Sequence, residues 1–164
     1  MKKTLFALLT AALILSLTMS AFAATGLGSY TKVTAKPAAD ANGSVGADTT
    51  MCAVTLDEEG RIVGVVFDVV QASAAFDATG AVAGEVNAEP QTKNELGEAY
   101  GMKKASPIGK EFSEQMDALA AWCVGKTLDQ VLAVYAEDAD LKAGCTVYIG
   151  TEMMALQKAI ANAK

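Results

Sequence analysis

Apolar and polar residues alternate in the first half of the chain, from Thr49 to Asp57 and again from Arg61 to Val70. A period of two predicts β-strands with one buried face. The segment between the two runs, Asp57-Glu58-Glu59-Gly60, is short and ends in glycine, which is typical of the turn of a β-hairpin. The pattern therefore predicts a hairpin near the start of the folded domain.

Weaker strand signals flank this hairpin. Residues Ser29 to Ala35 predict an edge strand, and the Pro-, Ala- and Gly-containing residues after it predict a mobile connection. Ser73 to Phe76 and Ala81 to Gly84 predict two further short strands around a second turn that ends in glycine. The segment from Glu85 to Tyr100 is polar and is interrupted by proline and glycine, so we expect a long surface loop there.

The apolar period changes to that of a helix in the second half of the chain. The spacing predicts a helix from about Pro107 to Gly125, a shorter one from Thr127 to about Val134, and a last one from about Gly150 to Ala163. The hydroxyl of Thr127 followed three residues later by Gln130 predicts a capping box at the start of the shorter helix. Strands followed by helices predict an α+β fold. We expect an antiparallel sheet that is led by the β-hairpin and covered by two to three helices.

The first residues have the three parts of a secretory signal peptide: Lys2-Lys3, an apolar run from Leu5 to Leu17, and small residues before an expected cleavage after Ala23. The run is shorter than the roughly 20 residues that span a bilayer. We therefore expect an exported protein that is not membrane-embedded, located outside the cell or in the cell envelope, which is the periplasm in a Gram-negative source.

The chain is long enough for one domain after the signal peptide. The expected division is a signal peptide at 1–23, an edge strand with a mobile loop at 24–47, and a main domain at 48–164, whose sheet the strand at 29–35 joins.

Charge and composition exclude several classes of protein. The formal net charge of −6 becomes −8 when Lys2 and Lys3 leave with the signal peptide, which argues against nucleic acid as a partner. The chain has no histidine, so it lacks the Ser-His-Asp and Cys-His arrangements of hydrolases and the usual zinc sites. Its three cysteines form no C-x-x-C pair, and we expect them to be buried apolar residues. An autonomous hydrolase is disfavoured, because no nucleophile of the chain has a visible base.

Two stretches contain residues that suit an anion such as phosphate. In the first, Asp140 to Thr146, Gly144 and Cys145 stand beside the hydroxyl of Thr146 in a polar loop before the last helix. Backbone amides and a hydroxyl at the start of a helix favour bound anions. The alternative is that Thr146 caps the last structured segment.

The second stretch, Tyr100 to Pro107, places Lys103, Lys104 and Ser106 before a predicted helix. Two cations and a hydroxyl in that position suit a phosphate or a carboxylate. A solvated turn and helix cap is the alternative, and from the residues alone it is the better one. Tyr148 is among the few aromatic residues that could stack on a planar ligand, although structural use is the default for each of them.

Taken together, these features resemble the FMN-binding domain of exported flavoproteins and of subunits of Rnf-type and sodium-pumping NADH:quinone oxidoreductases. The hairpin Ala53 to Val65 is similar to the opening strand, turn and strand of that family. Asp140 to Thr146 is similar to the closing motif, which reads Asp, two variable residues and Ser-Gly-Ala-Thr before a terminal helix. The block Glu95 to Glu111 resembles small flavoproteins of extracellular electron transfer in Gram-positive bacteria. The resemblance runs from about Gly28 to the C-terminus.

In that family a flavin transferase attaches FMN through its phosphate to the last threonine of the motif, and Thr146 stands at that position. Asp140 matches the acidic residue of the motif and Gly144 its glycine. Ala143 replaces the family's serine and Cys145 its alanine. The resemblance therefore implies FMN as the cofactor, either bonded to Thr146 or held non-covalently beside it.

The function implied by the resemblance is that of an exported electron carrier, whose partners are the flavin, a membrane redox protein and a flavin transferase. Gly144 and Cys145 would supply backbone near the phosphate, and Lys103, Lys104 and Ser106 a second anion contact. The alternative is a module of the cell envelope that keeps the fold, has no cofactor and binds another molecule. An accessory envelope protein without a ligand is a further alternative.

Overall fold

The computed structural model describes residues 23–84, 86 and 89–164. The expected signal peptide, residues 1–23, lies outside the described residues except for Ala23. Part of the predicted loop at 85–100 is also outside them. Within the described ranges, no helix has the length and apolar composition needed to cross a membrane.

Three long antiparallel strands form one sheet in the order β1-β2-β3. They are β1 (Ala24–Lys36), β2 (Gly43–Leu56) and β3 (Ile62–Phe76). The predicted hairpin is β2 and β3, and the predicted edge strand, 29–35, is the second half of β1. The segment 73–76, predicted as a separate strand, continues β3, whereas 81–84 contributes only an isolated bridge between Phe76 and Val82.

The strands are longer than the alternation indicated because their far ends consist largely of small or polar residues, which give no apolar period. Side chains fix both predicted turns. Asp57 Oδ1 accepts hydrogen bonds from the amides of Glu59, at 3.1 Å, and Arg61, at 2.7 Å. Gly60 has φ +73°, which is a conformation that glycine adopts without strain.

The helices follow the strands, as predicted. They are α1 (Lys93–Leu96), α2 (Phe112–Cys123), α3 (Leu128–Val134), α4 (Ala139–Gly144) and α5 (Gly150–Ala161), with 3₁₀ turns at Gly97–Tyr100 and Met102–Lys104. α5 packs against β1 and β2, and α2 packs against β3. The molecule is therefore an α+β domain in which helices cover one face of a three-stranded antiparallel sheet.

One predicted helix start and two predicted loops were wrong in detail. The helix expected from Pro107 begins at Phe112, because Gly109 has φ +63° and cannot continue a helix. The region from Glu85 to Tyr100, expected to be a long surface loop, contains α1 and a 3₁₀ turn in its described part. The stretch 140–146, predicted as a loop, is helical up to Gly144 as part of α4. The capping box of Thr127 and Gln130 at the start of α3 is confirmed.

The core lies between the sheet and the helices α2 and α5. Gly28 of β1 lets the backbone of α5 come close, since a Cβ there would lie 2.3 Å from the carbonyl oxygen of Ala155. The prediction of buried cysteines is confirmed, because Cys52, Cys123 and Cys145 are all buried and unpaired. Burial raises the pKa of each thiol above its usual range.

Candidate functional site

The side-chain amide of Gln115 joins the two stretches that were predicted to bind an anion. Its oxygen Oε1 accepts hydrogen bonds from the amide of Thr146 at 2.8 Å, from Thr146 Oγ1 at 3.2 Å and from the amide of Val147 at 3.3 Å. Its nitrogen Nε2 donates to Ser106 Oγ and to the carbonyl oxygen of Lys110, both at 3.2 Å. One amide group therefore lies between Thr146 and Ser106.

Gln115 was not among the residues singled out from the sequence. It is completely buried on α2, on the same face as Phe112 and Leu119. A glutamine at a core-facing position of an amphipathic helix is a detectable signal, because a buried amide must find hydrogen-bond partners. The identity of those partners could not be read from the sequence, since they lie 31 or 32 residues later and up to nine residues earlier.

Thr146 has an exposed side chain, but the backbone around it is occupied. The amides of Thr146 and Val147 bind Gln115, and the amide of Cys145 donates to the carbonyl oxygen of Leu141 at 2.8 Å. The last helix begins only at Gly150. The expected set of free amides at a helix start is therefore absent from positions 145–147, and the polar group that remains on this exposed residue is the Thr146 hydroxyl, which is itself bonded to Gln115.

The other residues of this stretch have structural surroundings. A Cβ on Gly144 would lie 2.9 Å from the Cβ of Ala118, so this glycine allows α4 to pack closely against α2. The thiol of Cys145 is buried, and burial raises its pKa to about 11. Asp140 is exposed in the first turn of α4, whereas the side chain that caps this helix is that of Asp138, which accepts from the amide of Leu141 at 2.8 Å.

In the second stretch, a carboxylate of the protein itself already binds the backbone amides that an external anion would need. Glu111 is buried, and its two oxygens accept from the amides of Met102 and Lys103, each at 2.9 Å. Ser106 Oγ accepts from two amides of its own turn as well as from Gln115. The ammonium groups of Lys103 and Lys104 are exposed and form no ion pair with the described carboxylates. Only the lysine side chains are left to attract an external anion.

A cleft of about 270 Å³ opens beside Thr146, lined in part by Tyr135, Lys142 and Tyr148. The side chain of Tyr148 is 84% exposed. A larger hollow of about 540 Å³ lies along the edge of β1 near Leu27 and Lys158, and it contains no residue predicted to bind a ligand. We take the smaller cleft as the candidate site because it contains the accessible hydroxyl.

Two charged residues, Glu152 and Lys93, lie against apolar or aromatic groups of the protein. Glu152 on α5 is buried, and its burial raises the pKa of its carboxyl group, which accepts a hydrogen bond from Thr151 Oγ1 at 3.0 Å. The ammonium group of Lys93 lies 4.7 Å from the ring centre of Phe112 and 4.9 Å from that of Tyr100. Cation–π contacts of this kind position the ammonium group of Lys93, whose charge also acts on the carboxyl group of Glu152.

The hydroxyl of Thr146 donates to the amide oxygen of Gln115, which cannot accept a proton at neutral pH, so Gln115 orients this hydroxyl without acting as a base. In the described part of the chain, no cluster of three or more His, Cys, Asp or Glu side chains could hold a metal ion.

The fold and site define a small α+β domain with an exposed threonine hydroxyl fixed by a buried glutamine. The chain matches no protein-family model, no curated protein and no solved structure.

Proposed function

We propose that this protein is an exported FMN-binding flavoprotein that carries electrons, with FMN bonded through its phosphate to Thr146 Oγ1 or held non-covalently beside it. The observation that carries the proposal is the position of Thr146: its hydroxyl is accessible at a cleft, and its orientation is fixed by Gln115. FMN would supply the redox chemistry, and the protein would bind and orient it.

The covalent form fits the surroundings of Thr146 better than a phosphate held by backbone amides. The amides at 145–147 are already bonded within the protein. A phosphoester requires only the hydroxyl and an activated donor, such as a flavin dinucleotide. The bond between Thr146 Oγ1 and the flavin phosphorus would form as the P–O–P bond of that donor breaks, the nucleoside monophosphate would leave, and the hydroxyl proton would pass to the leaving phosphate or to solvent. Because Gln115 is not a base, a separate flavin transferase would catalyse this step.

Other groups near the cleft suit a flavin phosphate and ring. Lys142 lines the cleft and Tyr148 lies at its opening, so a cation and an exposed aromatic face are both available. Ser106 is connected to Thr146 through Gln115, which ties the turn containing Lys103 and Lys104 to the same site. A membrane redox protein is the proposed electron partner.

The proposal is tested by intact-mass measurement and by the visible absorbance spectrum of protein purified after export from its host. We expect a mass increment equal to one FMN phosphoester, retained in Thr146→Ser and lost in Thr146→Ala. Thr79→Ala is the matched control, because Thr79 is an exposed threonine in the turn after β3. A colourless protein that binds no added FMN refutes the flavin proposal.

A cofactor-free binding module is the second candidate, and the size of the cleft favours it. Pockets that enclose a small-molecule ligand usually measure about 300–1,000 Å³, whereas the cleft at Thr146 has about 270 Å³. A flavin ring would therefore remain largely outside the cleft. This candidate predicts no flavin absorbance and a rise in melting temperature with a different small molecule or an envelope protein.

A further inference from the structure

The face of the sheet that points away from the helices is mainly apolar, and no described helix packs on it. We call it the outer face, and it comprises every second cross-strand row, namely the rows of Thr25, Leu27, Ser29, Thr31, Val33 and Ala35 with their partners on β2 and β3. Two of these rows show its character: Leu27, Ala53 and Val66 form one, and Val33, Ala47 and Ala72 form another. Leu27, Val33 and Val66 are 67%, 66% and 62% exposed.

Two polar features of the outer face are already hydrogen-bonded within the chain. Its only charged residue is Asp68, whose Oδ1 already accepts from the amides of Val69, at 2.7 Å, and Asn94, at 3.1 Å. The hydroxyls of Thr31 and Thr49, which are opposite each other on this face, bond to one another at 3.0 Å. Satisfied polar groups of this kind lower the cost of burial.

The opposite face shows that this distribution is not a general property of the sheet. Beyond the helices, that face carries the row Lys32, Asp48 and Gln71, in which Gln71 Nε2 donates to Asp48 Oδ1 at 3.0 Å. No large apolar side chain is exposed there among the described residues. The sheet is therefore polar where its inner face meets water and apolar on its outer face, as expected if a partner covers the outer face.

Edge-to-edge pairing is blocked over the first part of β1. Asn162 Nδ2 donates to the carbonyl oxygen of Leu27 at 3.1 Å, and Lys158 Nζ donates to that of Ser29 at 2.8 Å. The backbone groups of Thr25 bond to Lys164. A strand from another molecule could not pair with this part of the edge, so an association through it would use the face.

We propose that the outer face binds the outer face of a second copy of this chain, forming a two-fold sandwich of two sheets. The rows from Thr25 to Ala35 span about 36 Å by 14 Å, or about 500 Å², so two copies would bury about 1,000 Å², the lower bound for a specific interface. The positions of large and small side chains differ between neighbouring rows. In one row the small Ala53 lies between the larger Leu27 and Val66, and in the next row Met51 lies between Ser29 and Asp68. Such relief lets two identical faces interdigitate.

The outer face has one charged side chain, that of Asp68, which is already hydrogen-bonded within the chain, and Lys158 lies at its edge beside Leu27 and Ser29. So few charges favour a second copy over a highly charged protein or a nucleic acid as the partner. The proposal is independent of the flavin proposal, because no residue of the outer face belongs to the cleft at Thr146.

Sedimentation velocity on the exported, purified protein tests this inference over about 1–100 μM. We expect the mass of two chains at the upper concentrations. Val33→Lys and Val66→Lys, made separately, should each weaken self-association by about tenfold or more, because each loses a buried valine and places an ammonium group in an apolar interface. Val134→Lys is the matched control, since Val134 is exposed on α3 outside the outer face.

Circular dichroism and thermal melting of each variant establish that it is folded before its mass is measured. A folded wild-type protein that remains one chain up to about 100 μM overturns the proposal, even if a different host protein is found on the outer face. A dimer that is unaffected by both Val33→Lys and Val66→Lys also overturns it, because it would use another surface.

Discussion

Replacing Gln115 by methionine tests whether its amide connects the two halves of the candidate site. Methionine is similar in length and volume but supplies neither a strong donor nor a strong acceptor, so the core remains filled while the hydrogen bonds are lost. Gln115 is completely buried, so water cannot replace its amide without a change in packing. The substitution thus separates the hydrogen bonds of Gln115 from its volume.

The expected loss of stability follows from the five hydrogen bonds that the amide forms with Thr146, Val147, Ser106 and Lys110. A typical hydrogen bond contributes about 1 kcal/mol net. The exposed Thr146 hydroxyl can bind water instead, and two of the bonds to Oε1 are long, so we count two to three effective bonds. Gln115→Met should lower the free energy of unfolding by about 2–3 kcal/mol, and Tm by roughly 5–15 °C.

Urea unfolding measures the change in free energy, and hydrogen exchange measures its location. The amides of Thr146 and Val147 should exchange faster in Gln115→Met, while those in the centre of β2 should change only with global stability. Gln130→Met is the control, because Gln130 is exposed and its side chain caps α3, so we expect a loss of about 1 kcal/mol or less. A loss below about 0.5 kcal/mol in Gln115→Met, with unchanged exchange at Thr146, would refute the reasoning.

Two further predictions concern residues around the site. Gly144→Ala should destabilise the fold by about 1–3 kcal/mol in urea unfolding, because the added Cβ would lie 2.9 Å from the Cβ of Ala118. If this contact is the cause, adding Ala118→Gly to the same chain should recover part of the lost stability. Burial raises the pKa of the Glu152 carboxyl group, so the folded state binds the proton of this group more tightly than the unfolded state does. The contribution of Glu152 to stability is therefore largest at low pH and is lost as the pH rises above about 4.5. The stability of Glu152→Gln relative to wild type should therefore increase with pH across that window, and a difference independent of pH would contradict the assignment.

The sequence by itself determined the class of fold and the order of its elements. The alternation from Thr49 to Val70 gave the central hairpin, because a strand with one buried face must alternate. The hydroxyl of Thr127 and the amide of Gln130 gave the start of α3, because a capping box satisfies local backbone groups. These features depend on residues close together in the chain, and they could therefore be recognised without the tertiary structure.

Only the tertiary structure showed which groups of the candidate site meet. Ser106 and Thr146 are 40 positions apart, and a residue between them, Gln115, bonds to both. The loop predicted at 140–146 became helical because Asp138 caps it and Gly144 allows it to pack on α2. Burial then decided that Cys145 and Glu111 face inwards and that the Thr146 hydroxyl remains accessible. Contacts across the fold are set by packing between helices and sheet, and the local pattern of residues does not specify them.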